Sequence, residues 1–360
     1  MPIDMAAEFP LRQVVNPEGE LVGDRQTVSD DQIRQFLRQL VLLRTLDQRA
    51  WNLQRQGRIG TYAPFSGHEA IQVASGLVLE PGDWVAASYR DWALLATLGV
   101  PLSYPLLNAM GHPVSGKIPE PITALPVQVV IAAQILHAVG LAWAQKLRQT
   151  GKIAATFFGD GATSQGDFHE ALNLAAVKAV PAVFVCENNQ WAISVPLRRQ
   201  THSETIAQKA LAYGMRGVRV DGNDMLAMYL TMKEVVTTVR QAKEPVLVEA
   251  VTYRLGAHTT SDDPTRYRPS AEEQAWIAGE PVTRLKKFAL KAGLVTESDI
   301  AAMESDAKEL VEQAVREAEG YAPPDPAEAI FDHVYATKPF GLAQQREAFR
   351  HRLQEGGQHG

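Results

Sequence analysis

The apolar runs Ile153–Phe158 and Ala182–Cys186 constrain the fold more than any other feature of the sequence. Neither run alternates regularly with polar residues, and the segment 168–179 between them has helical spacing. A third apolar run, Val246–Ala250, follows a further helical segment that ends near Lys243. Strands that are apolar throughout and that alternate with helices form parallel sheets covered on both faces. The sequence therefore predicts an α/β fold in which a parallel sheet is flanked by helices.

Glycine and polar residues follow the first two apolar runs. Gly159-Asp160-Gly161 comes directly after the first run, and Asn188-Asn189 shortly after the second. Because ligands of such sheets bind at the carboxyl ends of the strands, we expect both motifs at one edge. Asp160 offers a carboxylate and Asn189 a neutral oxygen, which Mg²⁺ accepts together with phosphate oxygens, and the glycines let the backbone approach a diphosphate. These motifs predict a metal–diphosphate site; the alternative is two unrelated turns.

The rest of the chain predicts a division into three parts. Residues 1–57 form an irregular arm followed by a helix that begins at Ser29 or Asp30. Residues 58–270 form the α/β domain, and residues 271–360 form a charged helical region that packs on the same domain.

Composition limits the class of protein. The chain has 360 residues, of which 46% are hydrophobic and 21% charged, and a formal net charge of −6. This composition is typical of a soluble globular protein, and its acidic balance argues against nucleic-acid binding. Cys186 is the only cysteine and lies in an apolar run, so we expect an inert buried thiol and a cytoplasmic protein. The apolar stretch Val127–Trp143 contains Gln128, Gln134 and His137, which predicts a buried helix with His137 in the core rather than a membrane span.

Further segments carry a family pattern around the two motifs. They are Gly67-His68-Glu69-Ala70, Ser88-Tyr89-Arg90-Asp91, Gly166-Asp167-Phe168-His169-Glu170, Tyr253-Arg254, and His258 through Tyr267-Arg268. With these segments in this order around the thiamine diphosphate fingerprint, the chain resembles the alpha subunit of thiamine diphosphate-dependent 2-oxo acid dehydrogenases, the decarboxylating first component of their complexes. The resemblance extends from about Phe9 to Leu353 and implies a thiamine diphosphate-binding fold.

The resemblance assigns roles to individual residues. Mg²⁺ would be held by Asp160, Asn189 and the main-chain oxygen of Trp191. Arginines suit the diphosphate, because a guanidinium group presents a forked set of donors to phosphate oxygens. His258 would be the catalytic residue at the mouth of the site, where it would polarise the bound intermediate or assist transfer to a lipoyl group. The residues implied in cofactor binding are Tyr89, Arg90, Ile131, Gly159, Asp160, Gly161, Ala162, Asn189, Arg254 and His258.

The resemblance also implies an activity and partners. The reaction would be oxidative decarboxylation of a 2-oxo acid, with pyruvate favoured, and transfer of the acyl group to the lipoyl domain of a dihydrolipoyl acyltransferase. Thiamine enzymes use two α/β domains and this sequence shows strand-end chemistry for one, so a beta subunit would supply the other in an α₂β₂ heterotetramer. A branched-chain 2-oxo acid or acetoin dehydrogenase is the close alternative, because the loop Gly111-His112-Pro113-Val114 does not define the substrate. A non-catalytic thiamine-binding assembly subunit is the alternative from another class.

Several other polar residues have structural interpretations. His68 and Glu69 are expected to brace a helix near the substrate pocket, and Asp167 to cap the helix 168–179. The run Asp262-Asp263-Pro264 is predicted to lie in a mobile loop that orders when the diphosphate engages Arg254.

Overall fold

The computed structural model describes residues 4–25 and 27–356. Its strands are β1 (Trp84–Ala86), β2 (Ala154–Gly159), β3 (Ala182–Asn188), β4 (Trp191–Ala192), β5 (Val195–Pro196), β6 (Arg216–Asp221) and β7 (Val246–Val251). Within the described residues, five strands form one parallel sheet in the order β1-β2-β3-β7-β6, while β4 and β5 form a separate antiparallel hairpin. The three apolar runs form β2, β3 and β7, so the predicted α/β fold with a parallel sheet is confirmed. Strands β1 and β6 were not predicted.

The helices surround this sheet. They are α1 (Met5–Glu8), α2 (Asp30–Arg55), α3 (Glu69–Val78), α4 (Trp92–Thr97), α5 (Tyr104–Ala109), α6 (Ala133–Arg148), α7 (Gly166–Lys178), α8 (Leu197–Gln200), α9 (Met225–Ala242), α10 (Ser270–Ile277), α11 (Pro281–Lys291), α12 (Glu297–Gly320), α13 (Pro326–Phe331) and α14 (Phe340–Gly356). Short 3₁₀ turns occupy Pro113–Gly116, Asp160–Ser164, Ala207–Tyr213 and Pro264–Arg266. The helical character predicted for the C-terminal region is confirmed. No helix in the described part of the chain has the length and apolar content needed to cross a bilayer.

Both faces of the sheet are covered, as alternation along β3 shows. Val183 and Val185 join a large hydrophobic cluster with residues of α2, α3, α9 and α12. Ala182, Phe184 and Cys186 point the other way, into a second cluster with residues of α6 and α7. Every residue of β3 is buried, which is the reason that this strand is apolar without alternation. Burial also raises the pKa of the Cys186 thiol, in agreement with an inert core cysteine.

A buried carboxylate, Asp224, joins the N-terminal arm to the start of α9, next to the main-chain hydrogen bonds between Arg12 and strand β6. Asp224 caps α9 by accepting hydrogen bonds from the amides of Leu226 and Ala227 at 3.0 and 3.1 Å. Its other oxygen accepts from the amides of Val14 and Val15 at 2.6 and 2.7 Å. The arm therefore shares a core with the α/β part, although the division at residues 57 and 270 stays a prediction.

Two local predictions differ from the structure. His137 is exposed on α6 rather than buried in the core, because the helix turns that position away from the sheet. Helix α7 begins at Gly166, and its N-cap Gln165 makes no side-chain capping bond, so Asp167 lies in the first turn instead of capping the helix. The start of α2 is as predicted, since Ser29 and Gln32 form a reciprocal capping box.

We expect Asp224→Ala to lower the free energy of unfolding by about 3 kcal/mol, because it leaves buried amides of the arm and of α9 without acceptors. Urea unfolding measures this loss. Asp325 caps the exposed helix α13 in the same way, through the amides of Ala327 and Glu328. Its replacement, Asp325→Ala, is the matched control and should cost much less, because the Asp325 side chain is half exposed. Equal costs for the two variants would contradict the anchoring role of Asp224.

Candidate active site

One cavity of about 450 Å³ lies at the carboxyl ends of β2 and β3. These strands pair in register, with Gly159 beside Glu187, so the residues that follow them are brought to one edge of the sheet. Most of the residues predicted for the site line this cavity: Tyr89, Arg90, Ile131, Gly159, Asp160, Gly161, Ala162, Asn189, Trp191 and His258. Arg254 is predicted with them but is not among the lining residues.

Asp160 is completely buried, and only one of its two carboxylate oxygens has a hydrogen-bond partner among the described residues. Its Oδ2 accepts a hydrogen bond of 2.8 Å from Nε2 of Gln200. Its Oδ1 is buried and has no hydrogen-bond partner among the described residues. Burial raises the pKa of Asp160 to about 6. A buried carboxylate oxygen without a partner calls for an explanation in a native fold, and a bound cation is one, so the donor set fits Mg²⁺.

The other two predicted metal ligands follow β3. The Oδ1 atom of Asn189 accepts from the Trp191 amide at 3.2 Å, and its Nδ2 lies 3.4 Å from Nε2 of His68. The main-chain oxygen of Trp191 lies 3.4 Å from the Nη1 atom of Arg254, which donates to it. The side-chain amide of Asn189 is therefore held from both ends.

The two glycines of the motif differ in their surroundings. A Cβ at Gly161 would come 2.8 Å from the Cβ of Ala192, closer than carbon atoms approach. A Cβ at Gly159 would meet nothing within 4 Å, and Gly159 lines the cavity. Gly161 is therefore required by packing, whereas Gly159 leaves open space beside the backbone into which a ligand fits.

Arg90 and His258 form a contact on the far side of the cavity. The buried Arg90 donates from Nη1 to the carbonyl of Pro64 and from Nη2 to the carbonyl of His258 at 3.1 Å. The same Nη2 lies 3.1 Å from Nδ1 of His258. Burial, together with Arg90 and Arg254, lowers the pKa of His258 to about 3. The ring is therefore neutral, and with Nδ1 accepting from Arg90 the proton is assigned to Nε2.

Arg254 lies behind the hairpin β4–β5. Its Nη2 donates to the carbonyl of Ile193 at 2.8 Å and to the hydroxyl of Tyr267 at 3.0 Å. Its Nε is buried without a partner among the residues described. Burial and the nearby Arg90 lower its pKa to about 10, so it remains a cation near neutral pH. The assignment of Arg254 to the diphosphate stays a prediction.

The predicted mobile loop is tied down at its base. Arg268 donates to the carbonyls of Arg254 and Gly256 at 2.8 and 2.7 Å, and the hydroxyl of Tyr267 donates to Asp262 at 2.5 Å. Asp262 in turn accepts from the amide of His258 at 2.9 Å. These contacts hold His258 at the edge of the cavity.

Glu187 lines the cavity and was not identified from the sequence. Glu187 lies on β3, and its Oε2 is 2.5 Å from Nδ1 of His68. Its Oε1 is buried without a hydrogen bond to any described residue. Burial raises the pKa of Glu187 to about 8 and lowers that of His68 to about 3. A glutamate inside an otherwise apolar strand was the available signal. His112, in contrast, does not line the cavity, and its Nε2 lies 3.0 Å from the carbonyl of Ala322.

The burial of His68 predicts how stability depends on pH. The pKa of His68 is about 3 in the folded protein, against 6.5 for a free histidine. As the pH falls through this interval, the unfolded chain binds a proton that the folded protein does not, and stability is lost. His68→Gln removes this loss. We expect the free energy of unfolding of the variant, relative to the wild type, to rise as the pH is lowered from about 7 to about 5.

Urea unfolding at both pH values measures this difference. Glu187 works in the opposite direction, because its raised pKa stabilises the fold as the pH falls. Glu187 is present in both proteins, so the difference between the two curves reports His68 together with its contact to Glu187. The exposed His137 gives the matched control His137→Gln, which also removes one histidine but lies outside the cavity. A parallel curve for His68→Gln would contradict the prediction.

The chain is similar to known proteins over nearly its whole length. Residues 37–327 match the family model described as dehydrogenase E1 component. The chain is 39% identical over 349 residues to the pyruvate dehydrogenase E1 component subunit alpha of Bacillus cereus, which covers 96% of this chain and 94% of that relative. The protein of the same name from Staphylococcus aureus (strain N315) is 39% identical over 350 residues, which cover 96% of this chain and 94% of that relative. The one from Bacillus subtilis (strain 168) is 39% identical over 340 residues, which cover 94% of this chain and 91% of that relative. The chain therefore belongs to the dehydrogenase E1 component family.

Proposed function

We propose that this protein is the alpha subunit of a pyruvate dehydrogenase first component, which decarboxylates pyruvate and transfers the acetyl group to a lipoyl group. One observation carries the proposal: the half-satisfied carboxylate of Asp160 faces the same cavity as Arg90 and the neutral ring of His258. The names of the relatives support pyruvate as the substrate, since each is a pyruvate dehydrogenase E1 component subunit alpha. Cytoplasmic location is part of the proposal, in agreement with the single buried cysteine.

The family implies thiamine diphosphate, and we propose Mg²⁺ as its metal. Thiamine diphosphate supplies the electron sink that makes loss of CO₂ from a 2-oxo acid possible. Asp160, Asn189 and the main-chain oxygen of Trp191 would hold the metal. Support comes from the unpaired Oδ1 of Asp160, because Mg²⁺ binds through carboxylate and neutral oxygens beside phosphate.

The remaining cofactor contacts follow from charge and shape. Tyr89, Arg90 and Arg254 would bind the diphosphate, and the unpaired Nε of Arg254 is a donor available for it. The backbone at Gly159, Gly161 and Ala162 would lie alongside the cofactor. Ile131, whose side chain lines the cavity and is 43% exposed, would make the apolar contact.

His258 would act as a neutral hydrogen-bond donor. Its Nδ1 faces Arg90, so the proton held on Nε2 is directed elsewhere, and the ring lines the cavity. We propose that Nε2–H donates to an oxygen of the substrate and orients it. A donor fixed in place by Arg90 and Asp262 needs no rearrangement during the reaction.

A beta subunit is the proposed partner. Val129, Val130 and Ile193 line the cavity and are 72%, 67% and 56% exposed. Contiguous exposed apolar side chains of this kind mark interaction surfaces. We propose that a beta subunit covers them in an α₂β₂ heterotetramer and completes the cofactor site, and that the lipoyl domain of a dihydrolipoyl acyltransferase reaches the assembled site.

We expect decarboxylation of pyruvate only when the chain is purified together with a beta subunit, because the cavity is open on its apolar side. The measurement is CO₂ release with thiamine diphosphate and Mg²⁺, for the chain alone and for the complex. The value of kcat/KM for pyruvate should exceed that for 3-methyl-2-oxobutanoate by about 10-fold or more. Turnover by the chain alone would contradict the proposal that the beta subunit completes the active site. A preference for the branched acid would replace pyruvate as substrate. Acetoin releases no CO₂, so acylation of lipoyl groups is measured for it, and a higher rate with acetoin would make acetoin the substrate. A complex that is inactive with all three compounds would point to an assembly subunit.

In the same complex, His258→Ala should lower the rate of pyruvate turnover by about 10²–10⁴-fold, the range for a positioned proton donor. The affinity for thiamine diphosphate, measured by calorimetry, should remain close to that of the wild type. The matched control is His112→Ala, which removes a histidine outside the cavity and should retain the wild-type rate. A His258→Ala complex as fast as the control would remove His258 from the mechanism.

A further inference from the structure

Gln200 is the side chain that holds Asp160, and no sequence motif identified it. It is the last residue of α8, which directly follows the hairpin β4–β5. Its Nε2 donates to Oδ2 of Asp160 at 2.8 Å and to the carbonyl of Val195 at 3.2 Å. The residue therefore connects the carboxylate after β2 with the hairpin that contains Trp191.

The consequence for Asp160 is that its two oxygens are no longer equivalent. Oδ2 is occupied by the amide of Gln200, whereas Oδ1 is buried and has no hydrogen bond within residues 4–25 and 27–356. Rotation of the carboxylate toward a ligand with both oxygens would break the 2.8 Å bond to Gln200. The side chain is thus prepared to offer one oxygen and not two.

The number of oxygens offered by a carboxylate discriminates between divalent cations. Mg²⁺ requires near-octahedral geometry and short bonds, and a single carboxylate oxygen suits it. Ca²⁺ is larger, accepts more ligands, and readily takes both oxygens of a carboxylate. Groups that hydrogen-bond to a metal ligand set its orientation, and their removal typically weakens metal binding by about 10–100-fold.

We propose that Gln200 is a positioning residue that restricts Asp160 to one metal-facing oxygen and thereby favours Mg²⁺ over Ca²⁺ at this site. The proposal rests on the proposed function, because it concerns the metal that accompanies thiamine diphosphate. It goes further in naming the residue that selects the metal.

The test compares metal affinities in the complex with the beta subunit. Calorimetric titrations with Mg²⁺ and with Ca²⁺, each in the presence of thiamine diphosphate, give two dissociation constants. Gln200→Leu should weaken Mg²⁺ binding by about 10-fold or more and Ca²⁺ binding much less, so the preference for Mg²⁺ falls by about 10-fold. Gln200→Asn should give the same shift, because its amide is one carbon too short to reach Oδ2.

Two further variants separate this role from others. Thr201→Val removes an acceptor that receives the Ser203 amide at 3.1 Å and Lys209 at 3.2 Å, in the same segment but away from Asp160. It should leave the ratio of the two dissociation constants unchanged, whereas a general loosening of the segment would change the ratio in this variant as well. Asp160→Asn should weaken binding of both metals.

The outcomes distinguish the two proposals. If the wild-type complex binds neither metal with thiamine diphosphate, the proposed metal site is wrong and the role of Gln200 with it. If the wild type binds Mg²⁺ and both Gln200 variants keep its ratio, only the role of Gln200 is overturned. If Thr201→Val shifts the ratio of the two dissociation constants as much as the Gln200 variants do, the role of Gln200 is also overturned. The segment as a whole would then have a structural role.

Discussion

The in-register parallel pairing of β2 and β3 is the constraint on which the rest of the site depends. It places Phe158 beside Cys186 and Gly159 beside Glu187, so the residues that follow the two strands emerge together. Because side chains alternate along a strand, a slip of one residue would exchange the side chains that face the two hydrophobic clusters. The hydrophobic clusters on both faces therefore fix the register, and the register fixes the relative positions of Asp160 and Asn189.

Polar atoms in and beside the cavity lack hydrogen bonds that they could make. Asp160 Oδ1, Glu187 Oε1 and Arg254 Nε are all buried without hydrogen-bond partners in the described part of the chain. Buried polar groups are normally satisfied, so several exceptions around one cavity indicate a place for a ligand. Burial also moves each ionisable group toward its neutral form, raising the pKa of Asp160 to about 6 and lowering that of His258 to about 3. A bound cation would favour the ionised form of Asp160, which burial opposes.

One guanidinium group joins the metal-binding segment to the segment of His258. Arg254 donates to the carbonyls of Trp191 and Ile193 and to the hydroxyl of Tyr267. Tyr267 in turn donates to Asp262, which holds the amide of His258. The position of the hairpin β4–β5 and the position of His258 therefore depend on the same buried cation. Movement of Arg254 toward a diphosphate would therefore shift both the hairpin β4–β5 and His258.

The sequence was enough to predict the α/β fold, the strands β2, β3 and β7, the family, and the residues that gather at the cavity. The strands are predictable because apolar runs report burial, and the two motifs because they lie directly after strands. The other cavity residues came from the resemblance to a known family. The sequence did not predict that His137 is exposed, that Arg254 lies behind a hairpin, or that Glu187 lines the cavity. Nor did it identify Gln200, which is 40 residues from Asp160 in the chain. These features depend on the tertiary structure, because the partner of a buried side chain is set by how distant segments pack. Local periodicity carries no information about that packing.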